Sequence, residues 1–182
     1  MSEREPRKRI PLNKAKLLPV EDPAAYIQNK CSERARKVNT IQPNFNFNIW
    51  FDQHYQHRTQ FGDDNGKREG IDSERVQSLV NKAMDHLVTY STFLKTFAFV
   101  NHVQTSGRNE RVVLQEETQH GLLNVVIEVH LIEVGIYEVT VKTAMCIKDF
   151  AISDGQYVLQ LIDNESILKR KERGVLREIC SL

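Results

Sequence analysis

The chain has little of what marks several protein classes. It carries only three cysteines, Cys31, Cys146 and Cys180, far apart in 182 residues. An odd, unclustered set fits neither a disulfide framework nor a zinc knuckle. No C-x-x-C or H-x-x-x-H pair is present to anchor a metal. Eight glycines and five prolines are too few for a glycine-rich repeat or a proline-rich scaffold. No apolar run approaches the roughly 18 residues that span a bilayer. The opening residues lack the apolar stretch of a secretion signal, so the expected location is the cytoplasm.

What is present suits one domain with an arm. Hydrophobic residues make up 40% and charged residues 27%, enough to build a core. The net charge of +1 hides an asymmetry. Residues 1–40 hold ten Lys or Arg against five Asp or Glu, a balance of +5; the remainder is at −4. Residues 1–20 read as a basic arm and residues 21–182 as a single α+β domain. A basic arm suits a polyanion such as RNA and predicts salt-sensitive binding; a solvated tail is the plainer reading of the same charges.

Periodicity sets the expected elements. Residues 22–38 read as a helix, with Asp22 as cap and Pro23 in the first turn. Phe45, Phe47 and Ile49 alternate with asparagine, as in a strand. Residues 61–70 form a turn-rich loop. The strongest helix follows: Asp72 or Ser73 caps it, and Val76, Leu79, Val80, Ala83, Leu87 and Val88 recur at steps of three and four to about residue 90. The period then falls to two. Residues 94–103, 111–117, 122–132, 136–147 and 157–162 read as strands of an antiparallel meander, and residues 167–182 as a charged helix. The expected architecture is therefore N-terminal helices packed on an antiparallel sheet of four to five strands.

The hairpin of residues 122–147 can be taken further. Val125, Ile127, Val129 and Leu131 want the core, as do Tyr137, Val139, Val141 and Met145. A three-residue loop at 133–135 brings both sets to one face. The other face then presents Asn124, Glu128 and His130 beside Glu138, Thr140 and Lys142. Antiparallel sheets usually have one wet face, but His, Lys and Glu together are also the set needed for proton transfer and anion stabilisation.

The string Phe51-Asp52-Gln53-His54, then Arg58, Arg68-Glu69-Gly70-Ile71-Asp72, Val76, Leu79, Lys82 and Asp85-His86-Leu87 resembles the phage RegB-type endoribonucleases. These share the fold of RelE-type ribonuclease toxins, and the pattern is also similar to BrnT-like toxins. The resemblance covers roughly residues 50–90. It implies metal-independent cleavage of single-stranded RNA, with no cofactor: a 2′-hydroxyl attacks the adjacent phosphorus, leaving a cyclic phosphate and a 5′-hydroxyl. Histidine suits the proton roles and Arg or Lys the phosphate. By this resemblance His54 is a catalytic histidine and Lys82 is retained. The family's second histidine falls on Asn81, which can be neither acid nor base; His57, His86 and His130 are the nearby replacements. Arg58, Arg68, His130 and Lys142 are the expected RNA contacts. The implied partners are mRNA and an inhibitory or ribosomal protein, with no membrane. Two other classes fit the same residues: a non-catalytic RNA- or protein-binding regulatory module, and a small phage structural protein.

Overall fold

The computed structural model describes residues 22–41, 45–56, 71–102 and 109–182. Among the described residues nine strands form one mixed sheet: β1 (Ala35–Ile41), β2 (Asn46–Asp52), β3 (Val100–Asn101), β4 (Val112–Thr118), β5 (Gly121–Glu133), β6 (Ile136–Cys146), β7 (Tyr157–Ile162), β8 (Glu165–Glu172) and β9 (Val175–Ser181). Their order is β1-β2-β6-β5-β4-β7-β8-β9, and β3 pairs with β5 beyond the end of β4. The pairs β2/β6, β4/β7 and β3/β5 are parallel.

One long helix, α1 (Ser73–Phe93), covers one face. The Asp72 carboxylate accepts from the backbone N–H of Glu74 and caps it. Val76, Leu79, Val80, Ala83, Met84, Leu87 and Tyr90 are buried at helical spacing. They meet the odd residues of β2 (Phe47, Ile49, Phe51), β5 (Val125, Ile127, Val129) and β6 (Val139, Val141), together with Leu114, Leu159 and Leu168. A smaller apolar cluster, Val113, Val126 and Val158, lies on the opposite face beneath Phe150 and Ile152. Those two belong to the connection 147–156, which carries the chain from β6 across the sheet to β7. No helix among the described residues is long and apolar enough to cross a membrane.

This architecture corrects the expected one of N-terminal helices on a four- to five-stranded antiparallel sheet. Residues 22–38 hold only a 3-10 turn, Pro23–Ala25, and the start of β1. The Asn29 side chain accepts from the N–H groups of Cys31 and Ser32 and so competes with helix formation. Residues 167–182 form no helix but most of the β8–β9 hairpin. Its two-residue turn has Arg173 at φ 52° and Gly174 at φ 81°, the left-handed pair that a tight hairpin requires. Only Val100–Asn101 of the expected strand 94–103 is extended in a ladder. The meander holds for β4-β5-β6 but fails at both ends: β3 runs parallel to β5, and the 147–156 connection is a crossover that sets β7 parallel to β4 and β6.

The β5–β6 hairpin also differs in detail. Its turn has two residues, with Glu133 opposite Ile136. An irregularity at Ile132 restores Leu131 opposite Tyr137, the register that a three-residue loop would give, so Val125, Ile127, Val129, Tyr137, Val139 and Val141 still join the core beneath α1. A second irregularity leaves Lys142 outside the register. Ala144, not Met145, then joins the core, and Met145 lies opposite Asn124.

Candidate functional site

The expected polar floor exists on the face opposite α1, but it is covered. Asn124, Glu128, His130, Glu138 and Thr140 are all buried. Residues 22–34 lie over part of it as a strap. Asn29 donates to the Thr140 hydroxyl at 2.8 Å, the Lys30 N–H donates to Glu138 at 3.0 Å, and the Lys142 ammonium donates to the Cys31 carbonyl at 3.0 Å. These contacts replace the water a wet sheet face would hold, as burial of polar groups demands.

A cleft of about 550 Å3 opens on this face, lined by strand-end residues, by part of the 147–156 connection and by His54. Three cations, Arg111, Lys142 and Arg170, and the imidazole of His54 line it, together with the carboxylates of Asp52, Glu110 and Asp154. The imidazole and the three cations come from the end of β2, the start of β4, the β6 irregularity and β8. Lys142 is 2.9 Å from Asp52. The other Asp52 oxygen accepts from the His54 N–H at 2.8 Å and caps the helical turn that begins at residue 53. Burial pushes the Asp52 pKa up, but hydrogen bonds from Lys142, Ser32 and the His54 backbone outweigh it and hold the carboxyl below its usual range.

Glu128 lies behind the cleft wall and organises it. Its carboxylate is 2% exposed and accepts from Asn109 (2.6 Å), His130 (3.0 Å) and the Nε of Arg111 (3.1 Å). Burial raises its pKa; the bonds from His130, Asn109 and Arg111 overcome that and bring it down to about 2. The ionised carboxylate fixes Arg111 through Nε, and the terminal guanidinium nitrogens carry no hydrogen bond among the described residues. Arg170 stacks over the Tyr157 ring at 5.0 Å and donates from Nε to the Gly155 carbonyl. The Thr143 hydroxyl, also on the cleft, has no partner among the described residues. A neighbouring recess shares Asp154, Gly155 and Arg170 with the cleft and adds Lys171, Glu172, Arg173 and Arg177.

The expected site residues are divided by this geometry. His54 and Lys142 meet in the cleft. His130 is on the same face but buried against Glu128. Lys82 and His86 are on α1, on the other side of the sheet. Lys82 pairs with Glu116 at 3.5 Å, and His86 Nδ1 is 2.9 Å from the Ser166 hydroxyl. Burial lowers the His86 pKa, outweighing the opposite pull of Asp85. The Asn81 side-chain oxygen is buried and has no partner among the described residues. His57, Arg58 and Arg68 lie outside the described residues.

Comparison with family models, curated proteins and solved structures returns no match. The site must therefore be read from its own chemistry. It offers fixed cations, an imidazole and a concave surface. That set can hold a phosphate group and move a proton beside it. Arg111, Arg170 and Asn109 were not singled out by sequence. Arg170 lay in a segment read as helix, Asn109 in a loop and Arg111 at the first position of an expected strand; the alternation of the 122–147 hairpin is what made Glu128, His130 and Lys142 readable.

Proposed function

We propose that the chain binds single-stranded RNA across the sheet face opposite α1, with the phosphodiester backbone in the cleft. The observation that carries this reading is the meeting of Arg111, Lys142 and Arg170, distant in sequence, around one recess with His54. The acids beside them hold two of these cations in place: Asp52 orients Lys142, and Glu128 orients Arg111 while leaving its terminal nitrogens for a ligand. Such preorganisation reduces the entropy lost on binding. The cleft falls in the size range of small-ligand sites, roughly 300–1,000 Å3; it suits unpaired nucleotides better than a duplex. Lys171, Arg173 and Arg177 extend the cationic path beyond Arg170. The compartment this reading favours is the cytoplasm, where mRNA is met.

A second reading, cleavage, is favoured by the imidazole of His54. In it, His54 takes the 2′-hydroxyl proton as the 2′-oxygen bonds to phosphorus. Arg111 and Lys142 neutralise the phosphorane. The bond to the 5′-oxygen breaks, and that oxygen takes a proton from water. A cyclic phosphate and a 5′-hydroxyl result. Lys82 and His86 have no part in this scheme.

The test is fluorescence anisotropy with labelled oligoribonucleotides and with DNA of the same sequence. Arg170→Gln and Lys142→Gln should each weaken RNA binding by roughly tenfold or more, the cost of one charged hydrogen bond. Lys82→Gln and His86→Gln should leave it unchanged. The proposal fails if RNA does not bind, if DNA binds as well as RNA, or if only the α1 variants weaken binding. For cleavage, the protein is incubated with total RNA and the new ends are mapped. His54→Ala should bind RNA but leave no cyclic phosphate; equal cleavage by that variant removes His54 from the chemistry.

A further inference from the structure

We propose that Cys31, Glu128 and His130 form a zinc site that fastens the strap of residues 22–34 to the sheet. The ligating atoms of all three lie within 4.8 Å of one another. Glu128 and His130 are two apart on β5 and therefore share a face. Cys31 reaches them from the strap, in a stretch outside regular secondary structure. A tetrahedral zinc ion, with bonds of about 2.0–2.3 Å, needs its ligand atoms roughly 3.5 Å apart. The cluster must tighten by about 1 Å, and an irregular segment such as the strap can supply that movement.

Ligand chemistry and charge agree with zinc. Thiolate, imidazole and carboxylate are the three side-chain types that zinc takes. One zinc ion with one thiolate and one carboxylate is neutral, which suits a buried position. The His130 Nε2 and a Glu128 oxygen are 3.0 Å apart; the neutral imidazole frees Nε2 for a metal by carrying its proton on Nδ1. Asn109 and Arg111 already hold the Glu128 carboxylate, the kind of outer support that orients a metal ligand. The charged groups that act on the thiol are Glu128, Glu138 and Lys142, and Lys142 is paired with Asp52. A water completes the four ligands. The strap covers the site, so the ion's role is to fasten the strap; Glu128 serves both this site and, through Arg111, the wall of the cleft.

Binding displaces one proton, from the thiol. Burial holds that thiol's pKa up at about 12, with a partly opposing hydrogen bond from Thr140. The direct test loads the full chain with cobalt(II), a spectroscopic stand-in for zinc, and measures zinc content after dialysis. The wild type should bind one ion per chain and show a thiolate-to-cobalt charge-transfer band. Cys31→Ser should lose the band; Cys146→Ser should keep it. Zinc should raise the Tm of the wild type and not that of Cys31→Ser. The proposal is overturned if the wild type binds no zinc and shows no band, or if Cys31→Ser binds and absorbs like the wild type.

Discussion

Replacing Glu128 by Gln gives the sharpest test of how the cleft is held together. The carboxyl falls from an ordinary value of 4.5 to about 2 in the folded chain. At 1.36 kcal/mol for each factor of ten, the ionised carboxylate contributes about 3 kcal/mol relative to its protonated form. The folded pKa is the lower one, so this contribution is complete above pH 4.5 and is lost as the pH falls from there toward 2. Glutamine preserves volume but places an NH2 group among three donors, Asn109, Arg111 and His130. It should therefore remove most of the contribution at neutral pH. The assay is urea unfolding of both proteins at pH 7 and at pH 3. Expected is a gap of about 3 kcal/mol at pH 7 that narrows to about 1 at pH 3. Equal gaps at the two pH values, or no gap at pH 7, would refute the reasoning that an ionised Glu128 anchors this wall.

Other outcomes follow from the same packing. Leu87→Ala removes a fully buried side chain from the face of α1 toward the sheet and should cost about 2–5 kcal/mol in urea unfolding. Asp72→Ala removes the α1 cap and should cost about 1 kcal/mol by the same measurement. Tyr90→Phe deletes a buried hydroxyl that donates to the Ser166 carbonyl at 2.9 Å; a loss of about 1–2 kcal/mol is expected. Three phosphate contacts, at Arg111, Lys142 and Arg170, predict that log affinity for single-stranded RNA falls against log salt with a slope of about −2; a flat response would mean that these cations do not meet phosphate.

The parts legible in the sequence were those with local causes. The helix at Ser73–Phe93 announced itself through Asp72 and a six-residue apolar stripe, five of whose members are buried in the structure. The β5–β6 hairpin was readable because the two-residue period fixes which side chains share a face. What misled were segments in which distant partners overrule local preference. Residues 22–38 have helix-like composition, but Asn29 turns the chain and Thr140, Glu138 and Lys142 hold it flat as a strap. Residues 167–182 are charged like a surface helix, yet Ser166 and Leu168 alternate into the core and Arg173-Gly174 turns the chain back. The site suffered most from this. His54 and Lys142 were named without any means of knowing that they meet. Lys82 was grouped with them by the resemblance and His86 as a nearby replacement for the histidine that falls on Asn81, although a sheet separates both from the cleft. Parallel pairings such as β4 with β7 leave no short-range trace, because the pairing residues are joined through a long connection.

Photo-crosslinking tests the central claim most directly. An oligoribonucleotide carrying 4-thiouridine is bound, irradiated and digested, and the labelled peptides are identified by mass spectrometry. Adducts should concentrate at residues 109–111, 142–156 and 170–177, the walls of the cleft and its cationic extension. Labelling confined to residues 73–93, or spread evenly over both faces of the sheet, would contradict an RNA path through that recess.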